Sequence, residues 1–287
     1  VRRFQLLTLL VVMLAAPAWP TAPGAGAAAP SFVGLGDSWA AGPIIPLYEA
    51  PYGCLKSTNN YAHLAAPRLG LPLRDASCSG GETEDMTAPQ GVTPGPNPPQ
   101  FDRLDADTAV VTLLVGGNDI GFSSIAQGCA SPTPLGQPCQ DRYIVNGHDT
   151  LQDRIDATGP LVGEVIEGIK TRSPNAAIFV LNYAAIFPHT PGPLGDIGCY
   201  PQIPVAHADV PYLRSVQVRL NDMLATQAAA HGVQLIDVYA ASVGHDACQP
   251  PGLRWIEPAV PASPAAPVHP NLVGMLAMAD LVVAAAS

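Results

Sequence analysis

Basic residues are scarce in this chain. Thirteen lysines and arginines stand against 23 aspartates and glutamates in 287 residues, a formal charge of −10. A protein so charged lacks the electrostatic footprint of a nucleic-acid binder, and DNA and RNA are excluded as partners. Anionic membranes gain nothing from such a charge, so any lipid substrate has to be met through an apolar or locally neutral surface. Long hydrophobic runs are missing too: the stretch Phe4–Ala16 is short for a bilayer, and no stop-transfer segment follows, which argues against a stable membrane anchor. There is no C-x-x-C pair and no HExxH pattern, so neither metal nor organic cofactor is expected. Repeats and low-complexity arrays are absent as well, which removes solenoids and propellers. Charged residues make up only 13%, yet 48% apolar content can build a core. The 32 prolines and 27 glycines then point to a compact protein with long ordered loops.

Residues 1–29 hold Arg2 and Arg3, the apolar run and a small-residue stretch ending at Ala29, the pattern of a secretory leader. Pro17, Pro20 and Pro23 oppose an N-terminal core helix there. The expectation is a secreted protein with a single domain over residues 30–287, working as a monomer. Six cysteines, an even number, fit an oxidising compartment and three disulfides. The connectivity is open from sequence alone; pairing by proximity gives Cys54–Cys78, Cys129–Cys139 and Cys199–Cys248.

Short aliphatic runs at Phe32–Leu35, Leu71–Ala76, Ala109–Val115, Ala177–Leu181 and Val233–Val238 read as strands. Helical periodicity covers Ser57–Leu69, with Ser57 or Thr58 as cap, Leu151–Lys170, Asp209–His231 and Asn271–Ala286. The last is very apolar, but Asp280 and its length favour packing on a sheet over crossing a membrane. Strands alternating with helices predict an α/β fold: a flavodoxin-like three-layer α/β/α sandwich on a five-stranded, mostly parallel sheet, with ligands at the carboxyl ends of the strands. Three Pro/Gly-rich stretches, Ala88–Arg103, Gly128–Gly147 and Tyr183–Ala208, are expected to shape a pocket.

Four local features fall where strands end or a helix begins. Gly36-Asp37-Ser38 follows the first strand, where a serine on a glycine turn exposes its hydroxyl and nearby N–H groups can face an anion. Cys78-Ser79-Gly80-Gly81 permits close backbone approach. Gly117-Asn118 closes a fully apolar strand, and Asn118 fits either an Asx-turn or an oxyanion donor. Val268-His269-Pro270-Asn271 precedes the last helix. Singly, each is commonly a turn or a cap.

Together, and in this order, they resemble the four blocks of the SGNH/GDSL hydrolases. Cys78-Ser79-Gly80, the pairable cysteines and Arg254-Trp255 upstream of the histidine are similar to its secreted bacterial lipase and esterase subgroup. The resemblance implies a serine ester hydrolase of the SGNH fold acting on lipid or short-acyl esters, with Ser38 as nucleophile and His269 as base. Ser38 N–H, Gly80 N–H and the Asn118 amide would form the oxyanion hole. Most of the family carries an aspartate three residues before the histidine; here Ala266 stands there. A Ser–His pair oriented by a backbone carbonyl of the segment Ala265–Pro267, that of Ala266 foremost, is therefore expected, with Asp237, Asp246 and Glu257 as competing acids. The alternatives are a carbohydrate or cell-envelope deacetylase or acyltransferase using the same residues, and a dead-site binding protein.

Overall fold

The computed structural model describes Val1, residues 29–193 and residues 195–287; nearly all of the leader expected over 1–29 lies outside the described residues. Five strands, β1 (Ser31–Gly36), β2 (Leu73–Asp75), β3 (Thr108–Leu114), β6 (Ala177–Leu181) and β7 (Gln234–Ile236), form one sheet, and β4 (Ile144–Val145) and β5 (His148–Asp149) form a small antiparallel hairpin. The large sheet is parallel throughout, in the order β2-β1-β3-β6-β7. Its central strands are apolar on both faces, as a doubly covered parallel sheet requires: Val111, Leu113 and Leu114 of β3 and Val180 and Leu181 of β6 are all buried.

Helices α1 (Ser38–Ala41), α2 (Tyr61–Leu69), α3 (Phe122–Gly128), α4 (Thr150–Arg172), α5 (Val210–Ala230), α6 (Val238–Ala241) and α7 (Leu272–Ala286) complete the fold. Packing of α2 with α7 and of α4 with α5 makes the outer layers. Capping side chains set several boundaries. Helix α2 begins at Tyr61, later than Ser57, because Asn60 Oδ1 accepts the His63 N–H at 3.0 Å while the Ser57 hydroxyl holds the Asn59 N–H at 2.9 Å. Asp149 caps α4 and Asn271 caps α7 in the same way. The strand expected to reach Val238 ends at Ile236, because Asp237 caps α6.

The strand order places β1 beside β3, with β2 on one flank and β6 on the other, so the carboxyl ends of β1 and β3 open onto the same edge. Cys54–Cys78, Cys129–Cys139 and Cys199–Cys248 are all bonded; the second lies within Gly128–Gly147, and the third ties Tyr183–Ala208 to the segment between α6 and α7. No helix among the described residues is long and apolar enough to cross a membrane.

Candidate active site

Ser38 lies where β1 gives way to α1. Gly36 ends the strand with φ at 149°, and a Cβ there would sit 2.3 Å from the Leu114 carbonyl oxygen, so glycine is required for this approach to β3. Asp37 caps α1 through Oδ1, which accepts the Trp39 N–H at 2.8 Å. As the first residue of the helix, Ser38 has an N–H with no intrahelical acceptor. Its Oγ is 2.8 Å from His269 Nε2, across 231 positions of sequence.

The other ring nitrogen, Nδ1, is 2.7 Å from the carbonyl oxygen of Pro267. This corrects the expectation of Ala266, whose carbonyl instead accepts the backbone N–H of His269 at 3.2 Å. Val268 is the cause. Its φ of 58° lies in the left-handed region that β-branched residues rarely enter, and the resulting turn folds the Pro267 carbonyl back onto the ring. Surrounding bonds hold the turn: Val268 N–H donates to Glu257 O at 3.1 Å, Glu257 N–H to His269 O at 2.9 Å, and Ala266 N–H to Pro43 O at 3.0 Å. Burial lowers the His269 pKa below its ordinary 6.5, opposed by the Pro267 carbonyl. The neutral ring therefore carries its proton on Nδ1, toward Pro267, and turns the Nε2 lone pair to Ser38.

The three competing acids are engaged elsewhere. Asp237 accepts the Ala240 N–H at 2.9 Å and the Asn182 amide at 2.8 Å, and Asp246 accepts the Cys248 N–H at 2.9 Å. Glu257 pairs with Arg254, Nη2 to Oε2 at 2.8 Å, and also accepts from Ser263 and Asn271. Among the described residues the ring of His269 makes its bonds to Ser38 and Pro267, with no carboxylate among them.

Gly80 is exposed, at φ 80°, in the turn that follows β2. The turn is tied down by the Cys54–Cys78 bridge and by the Ser79 N–H, which donates to Cys54 O at 3.0 Å. Asn118 follows β3, and its Nδ2 donates to the Gly81 carbonyl at 2.9 Å. Asp119 Oδ1 accepts the Thr83 N–H at 3.1 Å and the Thr83 hydroxyl, so the turns after β2 and β3 are joined twice. Tyr183 was not legible as a site residue. Its hydroxyl donates to Asp37 Oδ2 at 2.6 Å and accepts the Gly117 N–H at 2.8 Å, linking the serine turn to the asparagine turn. A Cβ on Gly117 would lie 2.9 Å from that hydroxyl oxygen, which explains the second glycine of Gly116-Gly117. Burial pushes the Asp37 carboxyl up to about 7, against its bonds to Tyr183 and Trp39. Burial, with Asp37 beside it, also pushes the Tyr183 phenol far up, so it stays a donor.

Beside the Ser38–His269 pair opens an apolar cavity of about 290 Å³, with Trp39, Phe122, Ile186, Phe187, Leu220 and Val268 in its wall. Tyr183–Ala208 supplies much of that wall and Gly128–Gly147 supplies Ala130, whereas Ala88–Arg103, expected to contribute, supplies none.

A serine hydroxyl bonded to a histidine at the carboxyl edge of a parallel sheet, beside an apolar cavity, is the arrangement of an α/β ester hydrolase. Comparison with known proteins gives the family. The model of the GDSL-like Lipase/Acylhydrolase family matches residues 35–277, and the chain belongs to that family. Lipase 2 of Streptomyces coelicolor is 38% identical over 257 residues, which cover 87% of this chain and 83% of the relative. A lipase of Streptomyces rimosus is 27% identical over 88% of this chain and 84% of its own length. Among solved structures, the extracellular lipase of Streptomyces rimosus superposes with a TM-score of 0.73 at 24% identity, covering 90% of this chain and 100% of that one. Phospholipase A1 of Streptomyces albidoflavus gives 0.72 at 23%, over 90% and 99%. These two share the fold. The chain is a carboxylic ester hydrolase.

Proposed function

We propose that this is a secreted, monomeric lipase or esterase in which Ser38 is the nucleophile and His269 the general base, with Ser38 N–H, Gly80 N–H and Asn118 Nδ2 as oxyanion donors. The observation that carries the reading is the 2.8 Å contact between Ser38 Oγ and His269 Nε2, whose chain neighbours Trp39 and Val268 line an apolar cavity. Ser38 Oγ attacks the ester carbonyl while its proton passes to Nε2; the alcohol leaves with that proton; water, deprotonated by the same nitrogen, then attacks the acyl-enzyme, and the acid leaves as Nε2 returns the proton to Ser38 Oγ. The Pro267 carbonyl does the orienting part of a carboxylate's work, fixing tautomer and ring direction. One Asn118 amide proton is used on Gly81, and the second remains for the oxyanion. No step calls on a metal or an organic cofactor.

Apolar walls favour an acyl chain over an acetylated sugar, and this supports a lipid or medium-acyl ester above carbohydrate or cell-envelope deacetylation. The leader-like residues 1–29 and three disulfides support secretion. Every residue given a role lies in one chain, so the chemistry needs no partner copy. The test is a panel of p-nitrophenyl esters of graded length, phosphatidylcholine and acetylated sugars, assayed with the wild type, Ser38→Ala and His269→Ala. Acyl esters should be preferred, and each folded variant should retain less than about 1% of turnover. Higher residual turnover in either variant would overturn the assignment, and a preference for acetylated sugars would favour the deacetylase reading.

A further inference from the structure

Loop Ala88–Arg103 builds no part of the cavity, yet it carries a fully buried side-chain amide, that of Gln100 at 0% exposure. The amide closes a ring of two hydrogen bonds with one backbone residue: Gly36 N–H donates to Gln100 Oε1 at 2.8 Å, and Gln100 Nε2 donates to Gly36 O at 2.9 Å. Sheet geometry explains why Gly36 needs it. Strand β2 pairs with β1 only as far as Asp75 opposite Gly34, whereas β3 continues alongside to Leu114. Beyond Gly34 the backbone after β2 reaches Gly36 only through Cys78 N–H, so Gly36 N–H is left without a backbone acceptor on that side, and the Gln100 amide supplies one while sharing Gly36 O.

The same amide meets the oxyanion turn. A Cβ on Gly81 would lie 3.1 Å from Gln100 Nε2 and 3.2 Å from Gly36 O, so the turn after β2 rests directly on the ring that fixes Gly36. Cys78 N–H also donates to Gly36 O, at 3.0 Å. Gln100 itself is anchored from outside the site. The next residue, Phe101, is wedged onto α4, where a Cβ on Gly168 would come within 2.6 Å of its ring, and Arg172 lies 4.4 Å from the ring centroid.

We propose that Gln100 is a positioning residue: through the amide ring on Gly36 it sets Ser38, two residues on, against Gly80 and the Gly81-bound Asn118. This rests on Ser38 being the nucleophile. Acyl transfer is sensitive to such placement, since a misplacement of about 1 Å costs roughly 10²-fold in rate.

The experiment compares wild type, Gln100→Leu and Gln100→Glu on a soluble short-chain ester, with the concentration of folded enzyme fixed by active-site titration and Ser38→Ala run alongside. Gln100→Leu should lose about 10–100-fold in kcat with KM within about twofold. Gln100→Glu adds a signature that scaffolding alone would not give. A protonated carboxyl can accept from Gly36 N–H and donate to Gly36 O as the amide does, whereas the ionised form cannot donate. The ratio of its kcat to that of the wild type should therefore rise as pH falls, the titration of His269 cancelling in the ratio. A folded Gln100→Leu enzyme with wild-type kcat would overturn the proposal, as would a Gln100→Glu enzyme whose stability shows the new carboxyl ionising within the assayed pH range while the kcat ratio stays flat. Appreciable turnover by Ser38→Ala would instead sink the nucleophile assignment on which it stands.

Discussion

Replacing Glu257 by glutamine should cost stability while sparing the chemistry. Glu257 is buried, 1% exposed, beside the equally enclosed Arg254. It accepts from Arg254 Nη2 at 2.8 Å and Nε at 3.3 Å, Ala262 N–H at 2.8 Å, Ser263 Oγ at 2.7 Å and Asn271 Nδ2 at 2.7 Å. Burial alone would raise its pKa, but these donors outweigh it and hold the carboxyl at about 2, against an ordinary 4.5. That difference corresponds to about 3 kcal/mol of folding free energy at neutral pH. Removing one partner of a buried ion pair costs about 3–5 kcal/mol, so two routes agree. The sign follows from linkage: a carboxyl depressed in the folded state stabilises fully above its unfolded value, and the contribution is lost as pH falls from about 4.5 toward 2. Urea unfolding of wild type and Glu257→Gln at pH 7 should therefore differ by about 3 kcal/mol, and the gap should close progressively in acid. Folded Glu257→Gln should keep at least about a tenth of the wild-type kcat/KM. A variant as stable as wild type would refute the buried-pair role of Glu257, and a folded variant that loses about 10⁴-fold in activity, the loss expected of a triad acid, would refute its exclusion from the chemistry.

Asn118→Ala should lower kcat by about 10²–10³ with KM little changed, as for a donor used mainly in the transition state; a pure KM effect in steady-state kinetics would place it in substrate binding instead. The kcat/KM profile of the wild type should rise with pH through a midpoint below the ordinary histidine value of 6.5, because burial lowers the His269 pKa and the neutral ring is the base. A midpoint clearly above 6.5 that persists in Asp37→Asn, which removes the neighbouring carboxyl at about 7, would contradict this. Replacing Cys54 and Cys78 together by serine should cost about 3 kcal/mol in denaturant unfolding and also reduce kcat, since the bridge pins the turn that carries Gly80; lost stability with an unchanged kcat would uncouple bridge from site.

The fold was largely legible because its five strands are short aliphatic runs separated by clear helical periodicity, and errors gathered at ends decided by single side chains, such as Asn60 ahead of α2 and Asp237 ahead of α6. Ser38, Gly80, Asn118 and His269 stood out because the residues that end strands at the edge of a parallel sheet are glycines and small polar groups in a recognisable order. The orienting carbonyl was legible only to within a segment. Which oxygen turns to Nδ1 depends on the left-handed Val268, a conformation that valine's own preferences oppose and that the bonds to Glu257 impose from a distance. Tyr183 and Gln100 were not legible at all. A tyrosine at the head of one loop and a glutamine inside another carry no local signal, and their partners, Asp37 and Gly36, lie 146 and 64 positions away.

The central assignment is Ser38 as the nucleophile, activated by a histidine that has no carboxylate behind it. Stoichiometric treatment with a fluorophosphonate, followed by peptide mass spectrometry, tests it directly in wild type, His269→Ala and the triple variant Asp237→Asn, Asp246→Asn, Glu257→Gln, each scored on its folded fraction. One adduct on the peptide containing Ser38 is expected, formed at close to the wild-type rate in the triple variant and slower by at least about 10³-fold in His269→Ala. An adduct on another residue, or a triple variant that labels as slowly as His269→Ala, would contradict it.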